Sequence, residues 1–493
     1  MKKLKKALLI TVIVLVSFIG LFGLTYAVLP KGPREIMEFD DPFHVSREEV
    51  TSDNYMAATG TPWATDAALE IMDEGGNAFD ATAAALLTLN VTLPQAASFP
   101  GVAPLLIYDA ANQEVRSYIG AGTAPQKATI DYFRSKGHKT VPEMSILSQL
   151  LPASPDVIIA LLQDYGTMSF STIAAPAIEV ARVGFPIHEM MLHDLNFSVF
   201  ERIGFSIIMP YNAAVYLKGE WWRPLNHYDR FTFPDLADTF EAMCLAEQAA
   251  LDAGKTRNEA LEAVRDYFYK GEIADRIVAL HEKKGGLFTK EDLANYQGGW
   301  EEPLTGSYNE YTFFANDTWS QGAVLPMVMQ ILEGIDLLAM GHNTPAYMHT
   351  VLQAIELAMA DKEAYFGDPE FVDVPIEGLL SKDYAASRRL LMTATAFGAI
   401  APHGEPFDYQ TFLGNKLVSG IDPSQYENKT KTISIGKDTS YISIIDADGN
   451  AVSLTPSDFP QSPMVDGLGL TLGIRMTQFR LNEAHPNRLE PGK

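Results

Sequence analysis

Apolar residues recur at helical spacing from Ala64 to Met72, which predicts a helix. Gly75-Gly76 stops the pattern, and Asn77 or Asp80 is suited to start a second helix through "AFDATAAALLTLNVT". "PLLIYDAANQEVRSYIG" (104–120) predicts a β-hairpin with its turn at Ala110–Gln113. "SPDVIIALLQDYG" predicts a helix with Ser154 as N-cap, Pro155 at the first helical position and Gly166 past the end. "FSTIAAPAIEVARVGFP" predicts another, interrupted early by Pro176 and ended at Gly184. Helical pattern dominates 234–296, "GSYNEYTFFAN" (306–316) reads as a strand, and 345–367 as a long amphipathic helix. From 430 onward the pattern is mostly strand. There "YISIID" and "AVSLT" are joined by "ADGN", which is hairpin chemistry. Helices with β-rich segments at both ends argue for an α/β or α+β layered sandwich. No repeat of fixed period or low-complexity tract interrupts the chain.

Composition narrows this picture. The 493 residues suit two to four domain-sized units or one large α/β unit. A hydrophobic content of 47% against 20% charged supplies a globular core and argues against bulk disorder. Lys plus Arg is 37 and Asp plus Glu is 62, so the net charge is -25. Such a surface repels phosphates, which sets nucleic acid aside as a partner. The single Cys244 cannot form an internal disulfide, and no Cys/His spacing or HExxH suggests a metal. No cofactor is expected.

The N-terminus adds a location. "MKKLKK" precedes an uncharged run from Ala7 to Leu29, 23 residues long. A signal-peptide core is usually about 7–15 residues and a membrane-spanning helix needs about 20. The length favours an uncleaved membrane anchor, and "LTYAVLP" leaves a cleaved signal peptide open. Either way the lysines stay cytoplasmic and the rest is expected outside, at a periplasm or cell surface. A short polar linker then runs to about residue 55.

Four stretches together resemble the γ-glutamyltranspeptidase family: 64–94, 165–187, 269–308, and 357–389 followed by "SIIDADGNAVSLT" (443–455). They keep family order and spacing along most of the chain from about 55 to 480. The resemblance implies an N-terminal-nucleophile hydrolase with stacked α, β, β, α layers. It implies a precursor that cuts itself before a threonine, which becomes the N-terminus of a small subunit. That threonine attacks the γ-glutamyl amide of compounds such as glutathione, and the acyl group passes to water or an acceptor amine. The expected organisation is an anchor or signal peptide over 1–30, a large-subunit region over 31–438 and the start of a small-subunit region over 439–493. The two fragments are expected to stay associated after the cut.

Ser443, Asp446, Gly449, Asn450, Ala451 and Val452 fix the register of the family's pattern around the cut. The nucleophile position then falls on Thr439, with the scissile bond between Asp438 and Thr439 and with Tyr441 where the family has His. Ser457 falls where the family keeps a second hydroxyl that hydrogen-bonds the nucleophile. A chain-terminal threonine carries its own base, an α-amine with a reference pKa of about 7.7–8.0. An internal threonine has only an amide nitrogen, so the unprocessed chain reads as a precursor. By local pattern alone, Thr439 equally begins a strand and Ser457 equally belongs to a "TPSD" turn.

Departures fall on the groups that read a glutamyl head. The register puts Ala121 where the family has the arginine that clamps the α-carboxylate, and Gln478 where it has the acid for the α-amine. Phe459 falls near a family asparagine. A guanidinium–carboxylate pair far outweighs a neutral contact, so a γ-glutamyl donor is expected to bind poorly. Arg475, at a substrate-lining position, is either a carboxylate contact from another direction or a solvated strand-end residue. The chain stops at "HPNRLEPGK", where relatives continue through paired serines and the glycine pair of the oxyanion hole. It therefore reads either as part of a longer protein, with core surface left uncovered, or as a damaged enzyme, and the end in mid-motif favours the first. Three functions stay open: a self-processing γ-glutamyltransferase, an amidase or acylase of other acyl specificity, and an inactive membrane-anchored relative with a binding role.

Overall fold

The computed structural model describes residues 49–398, 400–409, 439–458 and 461–493, with a few positions between Gly20 and Met37. Thr61 caps the first helix, Pro62–Asp73, by accepting from Ala64 N, and Pro62 fits the first position because its missing N–H has no helical partner there. Gly75 turns the chain at φ 92°, a conformation a Cβ would strain. The second helix, Ala78–Thr92, starts at a capping box of Asn77 and Asp80. All fifteen of its residues are buried. A helix apolar on every side belongs inside a protein rather than on its surface.

It lies against a six-stranded sheet. The strands are β1 (Met56–Ala58), β2 (Leu105–Asp109) and β3 (Glu114–Tyr118). Phe185–Pro186 (β4) and Arg230–Phe231 (β5) form a separate pair, and β6 (Trp300–Glu301) returns to the main sheet. A hairpin of β7 (Leu304–Tyr308) and β8 (Tyr311–Ala315) follows. The last strands, β9 (Ile442–Ile445) and β10 (Ala451–Leu454), lie in the middle, in the order β1-β9-β10-β2-β3-β6. All pairings are antiparallel, with Leu454 opposite Ile442 and also opposite Leu105. Ile442, Ile444, Val452, Leu454, Leu105 and Ile107 are buried, at the alternate positions that one sheet face requires. On the opposite face Ile445 is 50% and Met56 is 39% exposed.

By contact the chain divides into two units: Met1–Arg47 with Val183–Phe233, and Glu48–Arg182 with Pro234–Lys493. The six-stranded sheet and the β7–β8 hairpin are in the second unit, and the β4–β5 pair is in the first. The first contains helices Glu189–Leu195, Val199–Ile208 and Pro210–Tyr216, which the hydrophobic pattern did not reveal. The α+β class and most elements are as the pattern predicts. Among the described residues no helix is long and apolar enough to cross a membrane, and the run Ala7–Leu29 lies mainly outside those residues.

Four local expectations are corrected. Ser154 is the first helical residue rather than the cap of Ser154–Asp164, and no side chain caps that helix. Pro176 does not interrupt the helix Phe170–Val183. The buried Glu247 holds that helix's start, accepting from Phe170 N at 2.7 Å and Ser171 N at 2.8 Å, and this tertiary support offsets the bond a proline removes. Residues 306–316 are not one strand but most of the β7–β8 hairpin, turned at Asn309 with φ 51°. Beyond β10 the chain is not mostly strand: positive-φ glycines at 467, 469, 473 and 492 break 461–493 into turns, isolated bridges and the 3₁₀ turn Arg475–Gln478.

Candidate active site

The hairpin β9–β10 has an anchored turn. Asp446, 7% exposed, accepts from Ala78 N at 2.9 Å, so its carboxylate sits at the start of the buried helix. It also accepts from Asp448 N at 3.0 Å, Asn450 N at 2.9 Å and Asn450 Nδ2 at 2.9 Å. Asn450 Oδ1 in turn accepts from Ala110 N at 3.0 Å, in the turn after β2. The "DADGN" residues that set the family register are thus those that fix the hairpin to the helix and to its neighbouring turn.

At the other end, Ser440 N donates to Pro456 O at 3.1 Å, which sets 439–440 beside 456–457. Ser440 is buried, and a Cβ on Gly60 would overlap its hydroxyl, so this segment packs directly on the backbone ahead of the first helix. Ser457 exchanges backbone hydrogen bonds with Val102, each 2.9 Å, and Asp458 N donates to Ala96 O at 3.0 Å. These bonds bring Thr439 Oγ1 to 2.9 Å from Ser457 Oγ. Thr439 is exposed and Ser457 is 4% exposed. An exposed residue thus has its hydroxyl held against that of a buried one.

A third segment closes on this pair. Ile474 N donates to Asp458 Oδ1 at 2.9 Å. Arg475 follows, and its Nη2 donates to Ser457 Oγ. Its Nε lies 3.9 Å from Asp458 Oδ1. The Arg475 side chain is 16% exposed and that of Asp458 is 3% exposed, so the cation is largely enclosed rather than solvated at a strand end. Gly473 has φ 58°, and a Cβ there would overlap the Asp458 carboxylate.

Of the residues singled out from sequence, the fold brings together Thr439, Ser457 and Arg475. Gln478 is exposed at the far end of the 3₁₀ turn, and its carbonyl accepts from Arg480 Nη1 at 3.0 Å and Asn487 Nδ2 at 3.2 Å. The carbonyl of Ala121 accepts from Tyr296 OH at 2.8 Å. Asp438 and Phe459 lie outside the described residues. The sequence reading missed Asp458. Its only local signal was an acid next to Ser457, which a "TPSD" turn explains equally well. Among the described residues no group of three or more His, Cys, Asp or Glu is arranged to hold a metal ion.

The chain matches known proteins along most of its length. The family model for gamma-glutamyltranspeptidase matches residues 64–493. The glutathione hydrolase-like YwrD proenzyme of Bacillus subtilis is 28% identical over 453 residues, covering 91% of this chain and 74% of that protein. The glutathione hydrolase proenzyme of Escherichia coli is 29% identical over 461 residues, 91% and 70% of the two. A cephalosporin acylase from Bacillus halodurans superposes with a TM-score of 0.75 at 26% identity, covering 93% of this chain and 76% of that one. With a matched span that includes the buried helix, the central hairpin and the paired hydroxyls, the chain belongs to the gamma-glutamyltranspeptidase family and is an amidohydrolase of the N-terminal-nucleophile kind.

Proposed function

We propose that Thr439 is the nucleophile of this amidohydrolase and that cleavage between Asp438 and Thr439 exposes it. The observation that carries this reading is the 2.9 Å contact of the hydroxyl of Thr439, an exposed residue, with that of the buried Ser457. In the precursor, Thr439 Oγ attacks the Asp438 carbonyl. The peptide C–N bond breaks as an ester forms, and water opens the ester to a carboxyl at Asp438 and a free α-amine at Thr439. In turnover, that amine takes the Thr439 proton as Oγ attacks the amide carbon of the substrate. The amide C–N bond breaks, the leaving amine receives the proton, and water or an acceptor amine then takes the acyl group. The strands after the cut, β9 and β10, lie between β1 and β2 from before it, which supports two fragments that stay associated. The basic start and the run Ala7–Leu29 support an extracytoplasmic site of action, with the membrane as the attachment of the unprocessed N-terminus.

The acyl group is the finer question. Ala121 and the exposed Gln478 supply no charge where the family reads an amino-acid head group. That favours an acyl donor other than γ-glutamyl, in line with the likeness to a cephalosporin acylase. Arg475, which contacts Ser457, supplies a cation beside the pair for a donor with a carboxylate.

The test is the intact mass of the expressed chain, wild type and Thr439→Ala, with a panel of γ-glutamyl, glutaryl and simple acyl anilides. A fragment beginning at Thr439, absent in the variant, is expected, with turnover of glutaryl or simple acyl anilides above the γ-glutamyl compound. A stable single wild-type chain overturns the nucleophile, and efficient γ-glutamyl turnover overturns the acyl preference.

A further inference from the structure

Ser457 Oγ touches two side chains, and the chemistry of one constrains the other. A guanidinium has N–H donors and no acceptor, so in the contact with Arg475 the Ser457 oxygen accepts. An oxygen that accepts from a cation is a weaker acceptor elsewhere and a stronger donor through its own proton. The next oxygen is Thr439 Oγ1, at 2.9 Å. We propose that Arg475 is a positioning residue that orients the Ser457 hydroxyl so that it donates to Thr439 Oγ1. This rests on the reading of Thr439 as nucleophile.

The direction of that hydrogen bond matters. With Ser457 as donor, the Thr439 proton stays available to the α-amine. As the Thr439 oxygen attacks, it already faces a donor whose own oxygen is held by a positive charge. No proton leaves Ser457 or Arg475, so the step balances within Thr439 and the substrate. Asp458 lies within ion-pair range of the guanidinium: Arg475 Nε is 3.9 Å from its Oδ1, and Ile474 N donates to that same oxygen at 2.9 Å. Asp458 is 2% exposed, and such an acid is stable as an anion only with partners of this kind. The same anion competes with any substrate carboxylate for Arg475, so the geometry assigns Arg475 to the nucleophile pair first.

The experiment is a double-mutant cycle on the full chain, read by the kcat and KM of whichever panel anilide the wild type hydrolyses fastest and by the rate of self-cleavage from intact mass. Arg475→Met is expected to lower kcat about 10–100-fold with KM unchanged within about twofold, the scale of one hydrogen bond to a charged group. Ser457→Ala is expected to cost a similar factor. Because Arg475 acts through Ser457, the double variant is expected to be no slower than Ser457→Ala within about twofold. Arg475→Lys keeps a cationic donor and is expected to recover part of kcat at an unchanged melting temperature, which separates positioning from misfolding. Multiplying effects in the double variant, or a raised KM at wild-type kcat in Arg475→Met, overturn the proposal and make Arg475 a direct substrate contact or a structural cation. A wild type that neither cuts itself nor hydrolyses any anilide overturns the nucleophile reading itself, and this inference with it.

Discussion

The two ends of the β9–β10 hairpin are built differently. At the turn, a single carboxylate, Asp446, gathers donors from its own turn and from Ala78 at the start of the buried helix. Most of that motif lies within five residues of sequence. At the other end, Thr439 meets Ser457, 18 residues on, and Ser457 meets Arg475, another 18 residues on. The turn end fixes where the hairpin sits. The open end uses that placement to hold the hydroxyl of an exposed residue against that of a buried one. One end of a two-stranded element is thus tied to the buried helix, and the other carries the proposed nucleophile.

The sharpest break of this comparison is Thr439→Ala. It is expected to abolish the cut and lower turnover by at least ~10³-fold, with little change in melting temperature of the uncut chain, read by intact mass and anilide hydrolysis. Asp446→Ala is expected to do the reverse in kind, costing about 2–4 kcal/mol of stability because it leaves the buried Ala78 N–H without its acceptor. A denaturant midpoint near the wild-type value in that variant would mean that the turn does not anchor the hairpin. Gly60→Ala tests the seam between the two: its Cβ meets the Ser440 hydroxyl, so it is expected to cost about 1–3 kcal/mol and to slow self-cleavage by shifting the residue next to Thr439. If stability falls and cleavage keeps its rate, the open end is less tightly seated than its packing indicates.

For self-cleavage the smallest effect is expected at a control residue outside the hairpin. His281 is buried, stacked 3.9 Å from Phe288, and burial lowers its pKa from 6.5 to about 3. Between these values the unfolded chain binds more protons than the folded one. This contribution is therefore complete above pH 6.5 and is lost as pH falls toward 3, by up to about 1.4 kcal/mol per pH unit. His281→Phe is expected to flatten the fall in melting temperature between pH 7 and pH 5 without altering self-cleavage at pH 7.

The difference between the ends also explains what was legible beforehand. The helices 62–73 and 78–92 and the hairpin 105–118 were readable because apolar spacing, caps and turn residues agree locally. Pro176 misled because Glu247, about seventy residues away, holds the start of its helix. The strand expected over 306–316 became a hairpin because an asparagine at φ 51° supplies a turn that hydrophobic alternation does not display. The helices between 189 and 216 went unassigned although Ser198 and Glu201 form a capping box. Arg475 was noticed by register as a possible substrate contact, while its hold on Ser457 and its neighbour Asp458 were invisible.

By itself, then, the sequence determined the α+β class, the family, the hairpin and the identity of Thr439 and Ser457 as a pair worth testing. Those follow from short-range propensity and from a register that many residues share. Only the tertiary structure decided that Asp446 anchors a helix 368 residues away and that Arg475 turns onto Ser457 beside Asp458. A hydrogen bond between distant residues leaves no periodicity in the chain, because its partners are chosen by how the sheet, the buried helix and the glycine-bent segment 461–493 come together.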